Sequence, residues 1–201
     1  MKFTKTLVLL GVAAIAAMAL SATASATVFT DNNGHQFPEG TVGKSTNVGE
    51  VILDGTINIK CKRSLLEGQL ESTGSSTETP EGTDTALTLE ECGTNTVLVL
   101  GGGIVEVHTD EASANGNGIL TSTGMEVTAL THNILGTVHC IYVTNETLLG
   151  TLDGSVKTGG RATYTLASAA IEQKATDFGC GQNAEMTAEY QVNNPSYVDV
   201  D

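Results

Sequence analysis

Apolar and polar residues alternate with a period of two along much of the chain, and this pattern predicts β-strands. In the segment 56–61, Ile57, Ile59 and Cys61 fall on one face and polar residues fall on the other. The segment from Ala184 to Val192 repeats the alternation. We therefore expect two half-buried strands here, with Cys61 pointing into the core.

Two other segments have a less regular pattern. In residues 96–108, "TVLVLGGGIVEVH", both faces of the first strand are apolar, which predicts burial between two layers. Gly101–Gly103 predict a tight turn into the next strand. Residues 167–175, "ASAAIEQKA", are long enough for two helical turns but also continue a strand, and we assign them as strand or irregular structure.

The strand that leads to the second cysteine breaks the alternation. Leu87 and Leu89 have the opposite parity to Cys92, so strict alternation would turn the cysteine away from the leucines. One extra residue in a β-bulge near Glu90 and Glu91 would return Cys92 to the core face.

Turn signals separate the expected strands. The motifs "DNNG", "NGNG" and "KTGGR" occur at intervals that suit an antiparallel sheet. Residues 72–84 are rich in Ser, Thr, Glu and Gly, and we expect them to form a mobile loop. The sequence thus predicts an all-β fold, either an antiparallel β-sandwich or a barrel-like domain.

The first 26 residues have the pattern of a secretory signal peptide. Lys2 and Lys5 precede an uncharged apolar run from Leu7 to Leu20, and Ala24-Ser25-Ala26 supplies a cleavage site before Thr27. The apolar run is too short to span a bilayer. We expect residues 27–201 to form a single domain with no membrane span after processing, either secreted or held at the cell envelope.

Export bears directly on the cysteines, because an oxidising compartment favours disulfides over free thiols. A zinc site would instead need close pairs such as C-x-x-C, and no two cysteines here lie so close. The cysteines are Cys61, Cys92, Cys140 and Cys180. We predict two disulfides and no metal site.

Four cysteines allow three pairings, and an internal similarity favours one of them. Residues 45–108 and 125–192 both read Gly-Thr, an apolar alternation, a cysteine, a leucine-rich strand with a central glycine and a second cysteine. Two similar units would each close their own bridge. The predicted pairs are Cys61–Cys92 and Cys140–Cys180.

The charge of the chain excludes some partners. Without Lys2 and Lys5, seven of the nine basic residues face 23 acidic ones, so the mature net charge is 7 minus 23, or −16. Nucleic acid is therefore a poor partner. A solvated acidic surface explains the charge more simply than a specific cation site.

Motifs that carry chemistry are scarce. The sequence contains no G-x-S-x-G, H-E-x-x-H, P-loop or G-x-G-x-x-G motif. His108 with Asp110 and Glu111 offers metal-ligand chemistry, but three polar residues at the end of a strand are typical of a solvated hairpin tip. We predict no catalytic residues, no cofactor and no enzymatic activity.

One stretch resembles a known group of proteins. The segments Cys140–Tyr142, Gly150–Leu152 and Ala188–Val192, with Cys180 and Pro195, are similar to a pattern in small exported actinobacterial proteins of unassigned function. The resemblance implies a signal peptide, paired cysteines and β-strands. It implies no catalytic residues.

Together these features favour a secreted or envelope-associated, non-catalytic binding module. Its ligand is not indicated, and an envelope protein, a glycan or a second copy of the chain all remain open as partners. The alternative is a structural subunit that self-assembles into a surface or extracellular fibre, since strand-rich chains can join through their edges.

Overall fold

The structure is a computed structural model, and it describes residues 27–55, 57–75, 77–109, 116–133, 136–176, 180 and 182–200. The predicted signal peptide and the pair Asp110–Glu111 lie outside these residues. The elements are β1 (Phe29–Thr30), β2 (Val42–Asn47), β3 (Val51–Asp54), β4 (Ile59–Cys61), β5 (Arg63–Ser72), β6 (Glu81–Glu90), β7 (Thr96–Gly101), β8 (Ile104–Thr109), β9 (Gly118–Thr123), β10 (Glu126–Asn133), β11 (Gly136–Val143), β12 (Thr147–Asp153), α1 (Ser155–Thr158), β13 (Thr163–Thr176), β14 (Asn183–Asn194) and β15 (Asp199–Val200).

Eight antiparallel strands close into a barrel. Their order is β2-β5-β6-β8-β9-β12-β13-β14, and β14 pairs back onto β2. The closing ladder places Tyr190 of β14 opposite Asn47 of β2 and, on its other side, opposite Tyr164 of β13. The all-β antiparallel prediction is confirmed, and the barrel is the form that the fold takes.

The two longest strands, β13 and β14, also extend beyond the barrel and pair with further strands there. The first part of β14 pairs with β3, which pairs with β4, and the last part of β13 pairs with β11, followed by β10 and β7. The alternation of these strands turns apolar side chains to a shared interior. Its buried members include Val51, Ile59, Val127, Ala129 and Ile171.

Both predicted disulfides are confirmed. Cys61 at the end of β4 bonds to Cys92, which follows β6, and Cys140 in the middle of β11 bonds to Cys180 between β13 and β14. Strand β4 is three residues long and lies at one end of the sheet order. The first bridge therefore fastens a short terminal strand to the end of β6, whereas the second joins a strand that already has two neighbours.

Most strand predictions hold. In β4 and β14 the buried and exposed residues alternate as expected. The residues turned inward are Cys61 in β4 and Ala184, Met186, Ala188, Tyr190 and Val192 in β14. Residues 167–175 lie within β13 and are strand, not helix. A bulge between Leu166 and Ala169 interrupts that strand, where Ser168 has a positive φ of 56°.

The prediction that both faces of the 96–100 strand are buried is wrong. Leu98 and Leu100 of β7 are 44% and 61% exposed, and only the face with Val97 is buried. The reason is that β7 is a terminal strand of the sheet with a core on one side only. The glycines after it carry the chain to β8 in the barrel, and β7 itself pairs with β10.

The parity of Cys92 is corrected by a turn, not by a bulge in the ladder. From Ala86 to Glu90, strand β6 stays in regular register with β5, and the two register shifts of this ladder lie farther from Cys92. Glu91 then adopts a left-handed conformation with φ of 57°, which redirects the chain so that Cys92 is buried. The guanidinium of Arg63 binds the carboxylates of Glu90 and Glu91 at 3.2 and 2.9 Å.

The loop predicted for residues 72–84 is shorter than expected. Strand β6 already begins at Glu81, and Pro80 before it is fully buried. The Gln36 side-chain amide donates hydrogen bonds to the carbonyl oxygens of Thr73 and Gly74. The connection is thus tied to the segment that precedes β2.

Candidate ligand-binding cavity

The interior of the barrel contains a cavity of about 170 Å³. All eight barrel strands contribute to its wall, because every second residue of each strand points inward. Apolar side chains form most of the lining, among them Leu66, Val105, Val107, Leu120, Leu166 and Val192.

Glycines create part of this space. Gly43 of β2 and Gly68 of β5 lie opposite each other in the ladder, and both line the cavity. An eight-stranded barrel is just wide enough for its own side chains to fill, or to hold one small ligand. A Cβ added at Gly43 would meet nothing closer than 3.9 Å, so the local packing does not require glycine there. The absence of a side chain at Gly43 leaves the barrel interior open.

The polar groups of the lining are few and uncharged. Thr41 Oγ1 donates to the carbonyl oxygen of Pro38, and the Tyr190 hydroxyl shares a hydrogen bond of 2.8 Å with Ser64 Oγ. Among the described residues that line the cavity, none carries a charged side chain. The cavity is therefore suited to an uncharged ligand.

Ser45 differs from the other buried hydroxyls. It is 3% exposed and lines the cavity, and the described residues offer its Oγ no hydrogen bond. Its partners on the two neighbouring strands are Leu66 and Val192, whose side chains have no hydrogen-bonding groups. Ser45 thus presents an unpaired hydroxyl to an apolar space.

Residues outside the barrel strands also line the cavity. Phe29 and Phe37 are half-buried against the core and line the cavity, and the Phe37 N–H donates to the carbonyl oxygen of Phe29. Between them is the predicted "DNNG" turn. Its Asp31 carboxylate accepts hydrogen bonds from the backbone N–H groups of His35 and Asn33, which lower the Asp31 pKa below its usual value.

A buried carboxylate holds strand β15, which pairs with β1 and lies opposite Phe29. Asp199 is 4% exposed, and its Oδ1 accepts a hydrogen bond of 3.0 Å from the Val156 N–H at the start of α1. Ser155 Oγ accepts another from the Val198 N–H. A Cβ at Gly154 would lie 2.3 Å from Asp199 Oδ1, so only glycine fits there.

No family model, curated protein or solved structure matches the chain. The cavity is therefore the feature from which we infer a function.

The residues singled out from the sequence lie elsewhere. The four cysteines form the two disulfides and do not line the cavity. His108 is on the outer face of β8, with its Nε2 3.7 Å from a Glu106 carboxylate oxygen. Within the described ranges, no group of three or more His, Cys, Asp or Glu side chains is placed to hold a metal ion. No helix in the same ranges is long and apolar enough to cross a membrane.

Sequence reasoning missed the cavity, although its signal is present in β2. In "VGKS" the residues that turn inward are Gly43 and Ser45, small where a barrel usually places branched apolar side chains. Which face of β2 points inward depends on its pairing with β14, near the other end of the chain. The sequence of β2 alone does not contain that information.

Proposed function

We propose that the mature protein is a secreted or cell-envelope-associated, non-catalytic binding module whose ligand occupies the barrel cavity. The observation that carries the proposal is the apolar interior opened by Gly43 and lined without charge. Small-molecule sites are typically concave and apolar with a few placed polar groups, and this cavity has that composition.

The disulfides support the location. Two bridges, Cys61–Cys92 and Cys140–Cys180, are consistent with an oxidising environment, because cytosolic reductants keep most thiols reduced. A binding module outside the cytoplasm also fits the expected signal peptide. Detection of a mature chain that begins at Thr27 in the culture medium would test the location.

The binding role is tested with a size probe. Benzene should shift the methyl resonances of cavity-lining residues such as Val107 and Leu166 in ¹³C-methyl NMR spectra of the secreted protein. A Gly43→Leu variant fills the cavity and should lose these shifts. Val42→Leu is the matched control, because it adds volume on the exposed face of the same strand and should bind as the wild type does.

Two results would contradict the proposal. If saturating benzene leaves the methyl resonances of the folded wild type unchanged, the barrel interior is not a binding site. Equal shifts in the Gly43→Leu variant would also contradict it, because the probe would then bind elsewhere.

A self-assembling structural subunit is the second candidate, and one observation favours it. Strand β7 lies at an end of the sheet order and exposes Leu98 and Leu100. Exposed apolar terminal strands promote edge-to-edge association. Sedimentation velocity should show concentration-dependent oligomers that Leu98→Thr with Leu100→Thr removes and that a control change at exposed Val156 does not. A wild-type monomer at high concentration would exclude this candidate.

A further inference from the structure

We propose that the cavity takes one small, uncharged, mostly apolar molecule with a single hydrogen-bonding group, and that Ser45 Oγ binds that group. The inference rests on the proposed function, since it names the class of ligand for the same cavity. Three properties of the site carry it: the absence of charge in the described lining, the unpaired hydroxyl of Ser45, and the volume.

The lining decides the charge of the ligand. This chain has 23 acidic and nine basic residues, yet no charged side chain is among the described residues that face the cavity. An ion transferred into an apolar site without a counter-ion is strongly disfavoured. A ligand that carries a charged carboxylate, phosphate or ammonium group is therefore disfavoured.

Ser45 decides where the polar group of the ligand lies. Buried hydroxyls are normally paired, and others in this fold obey that rule: Ser64 pairs with Tyr190, and Ser122 pairs with Thr144. Thr128 is a buried hydroxyl without a partner, but it does not line the cavity. Among the described residues that line the cavity, Ser45 thus carries a hydroxyl for which no hydrogen bond is formed, and a ligand in the barrel can reach it. This hydroxyl can donate to a carbonyl oxygen or accept from a hydroxyl.

The volume decides the size of the ligand. A cavity of roughly 150 Å³ lined by apolar side chains accommodates benzene. The barrel cavity, at about 170 Å³, has room for one such ring and a short substituent. Toluene and benzyl alcohol are matched probes, because they differ by the one hydroxyl that Ser45 would bind.

The test compares dissociation constants of toluene and benzyl alcohol, measured by methyl NMR titration of the full mature chain. Ser45→Ala should weaken benzyl alcohol about tenfold, because it leaves the hydroxyl of the bound ligand unpaired, and should change toluene by less than about twofold. Thr46→Ala removes a hydroxyl from the outer face of the same strand and should change neither. Sodium benzoate should bind at least about a hundredfold more weakly than benzyl alcohol.

Each outcome has one meaning. If Ser45→Ala weakens both probes equally, or neither, Ser45 does not bind the polar group and the inference is wrong. Benzoate bound as tightly as benzyl alcohol would overturn the neutral-ligand assignment. If either result is obtained while toluene still binds, the proposed binding function stands. If neither neutral probe binds the wild type, the proposed function itself is refuted.

Discussion

Removal of the Cys61–Cys92 disulfide should destabilise the protein and release one strand locally. The change is the double variant Cys61→Ala with Cys92→Ala, which leaves no free thiol. The bridge closes a loop with a sequence separation of 31 residues, and the chain-entropy relation gives about 3.7 kcal/mol for such a loop at 25 °C. Urea unfolding followed by circular dichroism should therefore show a loss of 3–4 kcal/mol.

The second bridge provides the matched control. Cys140→Ala with Cys180→Ala opens a loop of 40 residues, for which the same relation gives about 3.9 kcal/mol, so the two variants should lose similar amounts of global stability. They should differ locally. Strand β4 is held by a short ladder to β3, whereas β11 lies between β10 and β13.

Hydrogen exchange separates the two effects. In the first variant, amides of β3 and β4 such as Leu53 and Ile59 should lose protection beyond the global loss, because β4 can detach while the barrel stays closed. In the second variant these amides should follow the global stability. A loss below 1 kcal/mol, or β3 and β4 amides that keep full protection in the first variant, would refute the reasoning.

Three single contacts can each be tested by one substitution. Gly154→Ala should destabilise the fold strongly, because the added Cβ would lie 2.0 Å from a backbone carbonyl oxygen. Gly160→Ala is the control, since the space around Gly160 is open and the fold should keep its stability; thermal unfolding compares the two variants. Tyr190→Phe removes the buried hydrogen bond to Ser64 and should cost about 1 kcal/mol in urea unfolding, and an unchanged midpoint would contradict this. The pKa of Asp31 is lowered, so its stabilising contribution should be present above pH 3.8 and lost as the pH falls through the lowered pKa. An Asp31→Asn variant should lack this pH dependence of stability. An NMR titration that gives Asp31 an ordinary pKa would refute the prediction.

Local features of this fold were predictable from the sequence, since they depend on neighbours in the chain. The alternation in β4 and β14 and the "DNNG" turn each lie within a dozen residues. The disulfide pairing followed from similar local patterns around each cysteine. These features need no knowledge of the strand order.

The remaining features depend on which strands meet. The exposure of Leu98 follows from the terminal position of β7, and the turn before Cys92 comes from one residue, Glu91, in a left-handed conformation that glutamate rarely adopts. The cavity requires that Gly43 and Ser45 face inward, which only the closed barrel defines. The sequence alone points to histidines and carboxylates as candidate chemistry, whereas the site is made of small and apolar residues.

Closure of the barrel by β2 and β14 sets the order in which a newly made chain can fold. A chain that emerges N-terminus first exposes β2 early, but its partner edge arrives only with β14, near the C-terminus. Until β14 is present, the barrel interior cannot close. Cys61 and Cys92 lie earlier in the chain and can already form their disulfide. Contacts so distant in sequence slow folding and prolong the exposure of unpaired edges. A nascent chain that ends prematurely before Asn183 would thus be left as an open, cross-linked sheet, a ready substrate for proteases.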